Sequence, residues 1–262
     1  MSTPLRPAAA CLTRASITSS LKVELRRLTR SGLGLGVLVG FAFFGLSGPV
    51  LSIYMPEILG AAASTDQLAI SASQATPADA ISLFNQSAMQ LGLIVTVAVA
   101  ITSIGWDTRP GSSIFYRTRV HRLSTVLLPR LIIDWLIALA TYSCGLLLAV
   151  VVTASAIGRP PAGMVVRTWM ACGLYIVMAM SIGHLIAASL RRTTTAIALT
   201  TLLVLVLPVM NQVPGMSRQL PTALLLPTGL HAMPVIAALV VIALCTVGSV
   251  LIARRQMLRR DA

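Results

Sequence analysis

Residues 131–157 read LIIDWLIALATYSCGLLLAVVVTASAI, an almost continuously apolar run. Its only charged side chain is that of Asp134. An α-helix needs about 20 predominantly apolar residues to cross the roughly 30 Å of hydrocarbon in a bilayer. The stretch is therefore predicted to be a membrane-spanning helix.

Five further apolar blocks of similar length occur along the chain and are predicted to span as well, at residues 33–53, 81–104, 168–190, 196–213 and 231–253. Only 10% of the 262 residues are charged and the mean hydropathy is +0.87, whereas about a quarter of a soluble domain is charged. None of the blocks alternates as a barrel strand would. The predicted fold is all-α, a polytopic integral membrane protein with a six-helix domain at 33–253 and a basic tail at 254–262.

The basic residues predict the orientation in the membrane. Sixteen of the 20 Lys and Arg residues lie in the N-terminal tail, the loops after the second and fourth spans, and the C-terminal tail. Cytoplasmic segments carry this excess, so both termini are predicted to be cytoplasmic. The net charge of +13 is thereby attributed to topology, and no nucleic-acid partner is expected. Scarce lysine and abundant alanine hint at a bacterium of high GC content, and the expected location is the bacterial cell membrane.

The segment before the first span, within residues 1–32, has the pattern of an amphipathic helix. Ile17, Leu21, Leu25 and Leu28 recur at helical spacing, and the positions between them carry Lys22, Glu24, Arg26, Arg27 and Arg30. Such a helix can lie in the membrane interface with its cations against anionic lipid. A simple positively charged anchor explains the same residues, and the sequence leaves both readings open.

Three glycines four residues apart, Gly32, Gly36 and Gly40, form a small-residue stripe at the start of the first span. Small residues let transmembrane helices approach closely, so the stripe is predicted to pack against another helix, of this chain or of a second copy. Farther on, the proline-broken segment 214–229 is too irregular to span, and it is expected either to dip into the outer leaflet or to form an ordinary loop.

One pair of charged residues lies in or beside a span. Arg130 and Asp134 are one helical turn apart, and they are predicted to form an intramembrane ion pair that reduces the cost of placing either charge near hydrocarbon.

The sequence gives little evidence for a catalytic site. The three histidines, His121, His184 and His231, fall at different depths and cannot converge on one metal, so no metal site or cofactor is predicted. The Gly45-Leu46-Ser47-Gly48 run is similar to the serine motif of rhomboid-type intramembrane proteases. Ser47 and the conceivable base His184 lie at different depths, however, and helix packing explains the glycines better.

The loop after the second span is short, basic and partly aromatic, and it is predicted to bind either lipid or a protein partner. Aromatic residues and arginine are enriched at the centres of protein interfaces. The candidate contact residues are Trp106, Asp107, Arg109, Gly111, Phe115, Tyr116, Arg117, Arg119 and Arg122.

With an amphipathic helix, six spans and this loop, nearly the whole chain resembles the permease subunits of ABC-2 type ATP-binding cassette transporters. In that family an acidic residue, a glycine and then a basic stretch follow one another in the loop, as Asp107, Gly111 and Arg122 do here. Asp107 stands where Glu is commoner, and Val120 near where a proline is usual. The resemblance implies that the loop is the coupling element for a separate ATPase subunit.

The resemblance also implies two permease chains, identical or different, in an exporter of a hydrophobic or amphipathic compound such as a drug, an antibiotic, a lipid or a polysaccharide. The chain itself is not expected to be an enzyme. A nucleotide-binding Walker A motif needs Gly-Lys-Ser/Thr, and the only lysine, Lys22, lies between Leu21 and Val23. The alternative is an ATPase-independent membrane protein, either a secondary transporter or a structural component.

Overall fold

The computed structural model describes residues 21–28, 30–62, 76–104, 124–190, 192–212, 220–226 and 230–258. These residues are 93% helical and contain no strand. After a short helix α1 at residues 21–28, the helices are α2 (Leu33–Ala62), α3 (Pro77–Ser87), α4 (Leu93–Ile104), α5 (Ser124–Ala156), α6 (Ala162–Leu190), α7 (Thr193–Val206) and α8 (Ala232–Leu258).

Six helical segments in the described ranges are long and apolar enough to cross a membrane, which confirms the number of spans predicted from the sequence. They are Leu33–Met55, Pro77–Ser103, Leu127–Ala156, Ala162–Leu190, Thr193–Asn211 and Ala232–Ile252. Each overlaps one predicted span. The protein is therefore a helical multi-pass membrane protein.

The second span begins four residues before its predicted start because a capping box fixes its first turn. The Thr76 hydroxyl accepts a hydrogen bond from the Asp79 backbone N–H, and the Asp79 carboxylate accepts one from the Thr76 N–H, both at 3.3 Å. Pro77 fits the first helical position, where no N–H is required. Capping satisfies polar backbone groups, and an apolar-run criterion does not detect it.

The same span contains one irregular turn. A π-helix at Ala88–Gly92 joins α3 to α4. Gly92 lies there against the Phe41 ring of α2, and a Cβ atom at this position would lie 2.9 Å from Cε1 of that ring.

Burial identifies α6 as the central helix of the described bundle. In the apolar window of its span 61% of the residues are buried, compared with 17% in the spans of α7 and α8. α6 packs against α4, α5, α7 and α8, while α2 packs mainly against α5 and α3. The least buried helices, α7 and α8, are thus left on the outside of a single chain.

The broken segment after α7 lies partly inside the bundle. α7 continues as a 3₁₀-helix at Leu207–Gln212, and a second 3₁₀-helix at Pro221–Leu225 packs against α6 and α8 with Thr222, Ala223 and Leu224 buried. The Thr222 hydroxyl donates to Asn211 Oδ1 at 2.6 Å, and the Asn211 amide donates to the Thr222 carbonyl at 2.9 Å. These two hydrogen bonds join the segment to the 3₁₀-helix that follows α7.

Candidate functional site

The predicted coupling residues, from Trp106 to Arg122, lie outside the described residues. The structure describes the two helices that border the loop, α4 up to Ile104 and α5 from Ser124. The assignment of the loop residues therefore stays a prediction.

The predicted glycine stripe faces open space in the described part of the chain. Apart from the chain immediately around each glycine, no described atom lies within 4 Å of the position that a Cβ would take at Gly32, Gly36 or Gly40. Of the two partners that the sequence left open, a helix of the same chain is not found among these residues. Packing against a second copy stays a prediction.

Close helix packing occurs one to two turns farther along α2. A Cβ at Gly48 would lie 2.8 Å from Phe84 Cα, and one at Gly45 would collide with the Gly145 carbonyl oxygen. The packing explanation for Gly45 and Gly48 is confirmed. Ser47, between them, donates a hydrogen bond to the Phe44 carbonyl of its own helix at 3.5 Å.

A set of ionisable and polar side chains gathers where α1 meets the ends of α4, α5 and α6, and we call this set the ionic cluster. Its members come from four helices, and all but the exposed Arg27 are buried: Glu24, Arg27, Ser103, Arg130, Asp134 and His184.

The first half of the ionic cluster joins α1 to both helices that border the loop. Arg27 donates to Glu24 Oε1 at 2.8 Å within α1 and to the Ser103 carbonyl at the end of α4 at 3.2 Å. Arg130 of α5 lies with its Nε 3.2 Å from Glu24 Oε2. The side chains of Glu24 and Arg130 are 7% and 4% exposed, so their charges are screened little by water.

The second half of the ionic cluster joins α4, α5 and α6 through Asp134. The Ser103 hydroxyl donates to Asp134 Oδ2 at 2.7 Å. His184 Nε2 of α6 lies 3.4 Å from the same oxygen, and both side chains are at most 3% exposed. One carboxylate thus faces polar groups from two neighbouring helices.

The charges of the ionic cluster balance when the imidazole is neutral, because two carboxylates face two guanidinium groups. Burying an isolated charge costs far more than burying a paired one, which is why these groups lie together. A direct Arg130–Asp134 contact stays a prediction, since the described contacts of these residues lead to Glu24, Ser103 and His184.

Of the ionic cluster the sequence brings together only Arg130 and Asp134, and the other four members are not predicted to join them. Glu24 was assigned to the polar face of α1 and Leu25 to its apolar stripe, whereas Glu24 and Leu28 are buried and Leu25 is 48% exposed. The sequence analysis treats His184 as a candidate metal ligand or catalytic base and does not predict a contact with Asp134. A comparison of depths could have found it, because His184 and Asp134 both lie within a few turns of the same end of the bundle.

The order of groups in the ionic cluster does not suit nucleophilic catalysis. A serine nucleophile needs histidine between itself and the carboxylate, but here Asp134 lies between Ser103 and His184. Among the described residues no group of three His, Cys, Asp or Glu side chains could hold a metal ion. The arrangement can instead hold helices together through buried polar contacts.

Comparisons of this chain with known protein families, with curated proteins and with solved structures give no match.

Proposed function

We propose that this chain is the membrane-spanning permease subunit of an ABC-2 type transporter, driven by ATP hydrolysis on a separate subunit. The observation that carries the proposal is the attachment of α1 to both helices that border the loop 105–123. Arg27 contacts the end of α4, and Glu24 contacts the beginning of α5. A force applied to such a loop is passed to two spans and to α1 together.

In this mechanism the loop is a lever. Closing of two ATPase subunits moves the loops of two permease chains, and the bundles change between inward-open and outward-open states. ATP can bias that equilibrium only through contacts that differ between the two states. The buried polar contacts at the ends of α4 and α5 are suitable contacts of this kind, because they can be exchanged without opening the apolar core.

The proposal includes an orientation and a direction of transport. Both termini and the loop are cytoplasmic, α1 lies in the membrane interface, and the chain resides in a bacterial cell membrane. The cargo is a hydrophobic or amphipathic compound that is exported. The second permease chain packs against the open glycine stripe of α2, where Gly36 and Gly40 have no described neighbour.

The test is co-expression with the ATPase encoded beside this chain, followed by purification in detergent. Wild type is compared with the loop variant Asp107→Ala/Gly111→Pro and with Arg159→Ala, a control at an exposed arginine outside the loop. We expect wild type and the control to retain the ATPase and to alter its rate of hydrolysis, and the loop variant to lose both effects. If wild-type protein retains no ATPase and changes no rate, the proposal fails.

The second candidate is an ATPase-independent secondary transporter, and the Asp134–His184 pair favours it. Buried acid and imidazole groups in spans are common in proton relays. This candidate predicts substrate movement in vesicles that contain this chain alone, driven by a proton gradient without ATP. The permease proposal predicts no movement under those conditions.

A further inference from the structure

His184 is a buried histidine whose hydrogen-bonding capacity is not used. Its side chain is 2% exposed, and neither ring nitrogen makes a hydrogen bond to a described residue. The nearest carboxylate oxygen, Asp134 Oδ2, is 3.4 Å from Nε2. A buried polar group left without a hydrogen bond costs about 1–3 kcal/mol, so a state in which the ring is satisfied would be favoured by a similar amount.

Asp134 has two possible hydrogen-bond donors close to its carboxylate. It now accepts the Ser103 hydroxyl at 2.7 Å, and a small movement would bring it within hydrogen-bond distance of His184. Ser103 can release it at little cost, because its hydroxyl also lies 2.7 Å from the Ala100 carbonyl of its own helix. The serine proton therefore has an acceptor in either arrangement.

We propose that Asp134 and His184 form a proton-binding site. When the imidazole takes up a proton, Asp134 gives up its hydrogen bond from Ser103 of α4 and accepts one from His184 of α6. A neutral imidazole has one N–H donor, and the protonated ring has two and a positive charge. The added proton comes from water and stays on the ring. The Ser103 proton turns to the Ala100 carbonyl, and no other bond changes.

The charges around the imidazole come mainly from two helices. α5 contributes Asp134 and Arg130, and α1 contributes Glu24 and Arg27. α4 contributes only the neutral Ser103.

α7 has no charged residue, and the 3₁₀-helix Pro221–Leu225 has none. In α8 the charges begin at Arg254, and its thiol Cys245 is buried. α6 itself carries one charge, Arg167 near its beginning.

This balance of charges determines which way Asp134 moves when the imidazole is protonated. With a neutral imidazole the two carboxylates and two guanidinium groups cancel, and an added proton leaves one excess positive charge in a buried place. Asp134 is the carboxylate nearest to that charge, so it is drawn toward His184. The result is a weaker tie between α4 and α5 at the end where the loop begins.

The site is tested with the full chain, labelled with ¹⁵N-histidine and purified in detergent through a tag that contains no histidine. The ring nitrogen shifts distinguish a neutral from a protonated imidazole, and only three histidines are present. Spectra are recorded from pH 5 to pH 8, the range in which histidine ordinarily changes charge. His184→Gln identifies the signal by its loss, and His231→Gln is the matched control.

We expect the His184 signal to change from neutral to protonated within this range. Asp134→Asn should move the change to lower pH, because a neutral amide no longer stabilises the imidazolium. Ser103→Ala should move it to higher pH, because Asp134 loses the competing donor. If the ring stays neutral throughout the range, or if both variants move the change in the same direction, the proposal is overturned. The result does not depend on an ATPase partner, because the imidazole itself is observed.

Discussion

Two regions of the bundle are held together by different means. Halfway along α2 the contact with α5 consists of backbone against backbone, with Gly45 against Gly145 and Gly145 in turn beside the Phe41 carbonyl oxygen, which a Cβ there would approach to 2.6 Å. At the α1 end, α5 is instead joined to α1, α4 and α6 through side chains of the ionic cluster. The first region depends on shape and the second on exchangeable polar partners.

The aromatic side chains reinforce the middle region. Phe41 and Tyr142 meet edge to face with ring centroids 5.8 Å apart, and Phe84 stacks on Tyr142 at 5.9 Å. All three are fully buried. Well-packed interiors have few alternative arrangements, because small displacements lose many contacts at once. Asp134, in contrast, has two partners within a short distance, so we infer that the middle is the fixed point and the α1 end is the part that moves.

The largest effect is expected from Glu24→Gln, which removes a carboxylate that faces Arg130 and Arg27. Breaking a buried ion pair costs about 3–5 kcal/mol, and we expect a value near the lower limit because Arg130 makes further contacts. The free energy of unfolding in detergent should fall accordingly. Hydrogen exchange should rise most in residues 21–28 and least around Gly145.

Lys22→Gln is the matched control, because Lys22 is an exposed residue of the same helix. It should leave both measurements unchanged. If the two substitutions lower the free energy of unfolding equally, only the net charge of α1 matters. The Glu24–Arg130 contact would then not hold the end of the bundle.

An intermediate effect is expected from Gly45→Ala in the middle region. The new methyl group would meet the Gly145 backbone, which cannot turn aside as a flexible side chain can. Overpacking of this kind costs about 1–3 kcal/mol. Gly34→Ala on the same helix is the control, since its methyl group would lie 3.9 Å from Ile137 Cγ2, an ordinary contact, and it should be neutral or slightly stabilising. If both variants melt alike, the middle is not fixed by close packing.

The smallest effect is expected from Tyr142→Phe. This change removes the hydrogen bond from the Tyr142 hydroxyl to Asn85 Oδ1, 2.8 Å long, and keeps the ring. Hydrogen bonds between helices in membranes contribute about 0.6 kcal/mol on average. A thermal melt should therefore shift only slightly. A loss as large as that of Glu24→Gln would contradict the view that shape, and not polarity, holds the middle.

The spans could be predicted from the sequence because each is a long apolar run, and all six were found with starts wrong by up to about two turns. The ionic cluster could not be assembled in the same way. Glu24 lies among cations in the sequence, so a local pattern assigns it to the exposed face, whereas its partner Arg130 follows two complete spans.

The same limit applies to Asp134. Its nearest opposite charge along the chain is Arg130, one turn away, and this local pair was the natural prediction. The described partners Ser103 and His184 come from helices on either side, and only the packing of α4 and α6 against α5 brings them together. Local sequence patterns detect contacts within a helix, and the contacts between helices depend on how the bundle packs.

The most direct test is hydrogen exchange on the chain in complex with the proposed ATPase partner, compared without nucleotide and with ADP trapped by vanadate after ATP hydrolysis. We predict that exchange changes in residues 21–28 and at the bordering ends of α4 and α5, while the residues around Gly45 and Gly145 stay equally protected in both states. Unchanged exchange at the α1 end, or a change that is largest around Gly45 and Gly145, would contradict this prediction.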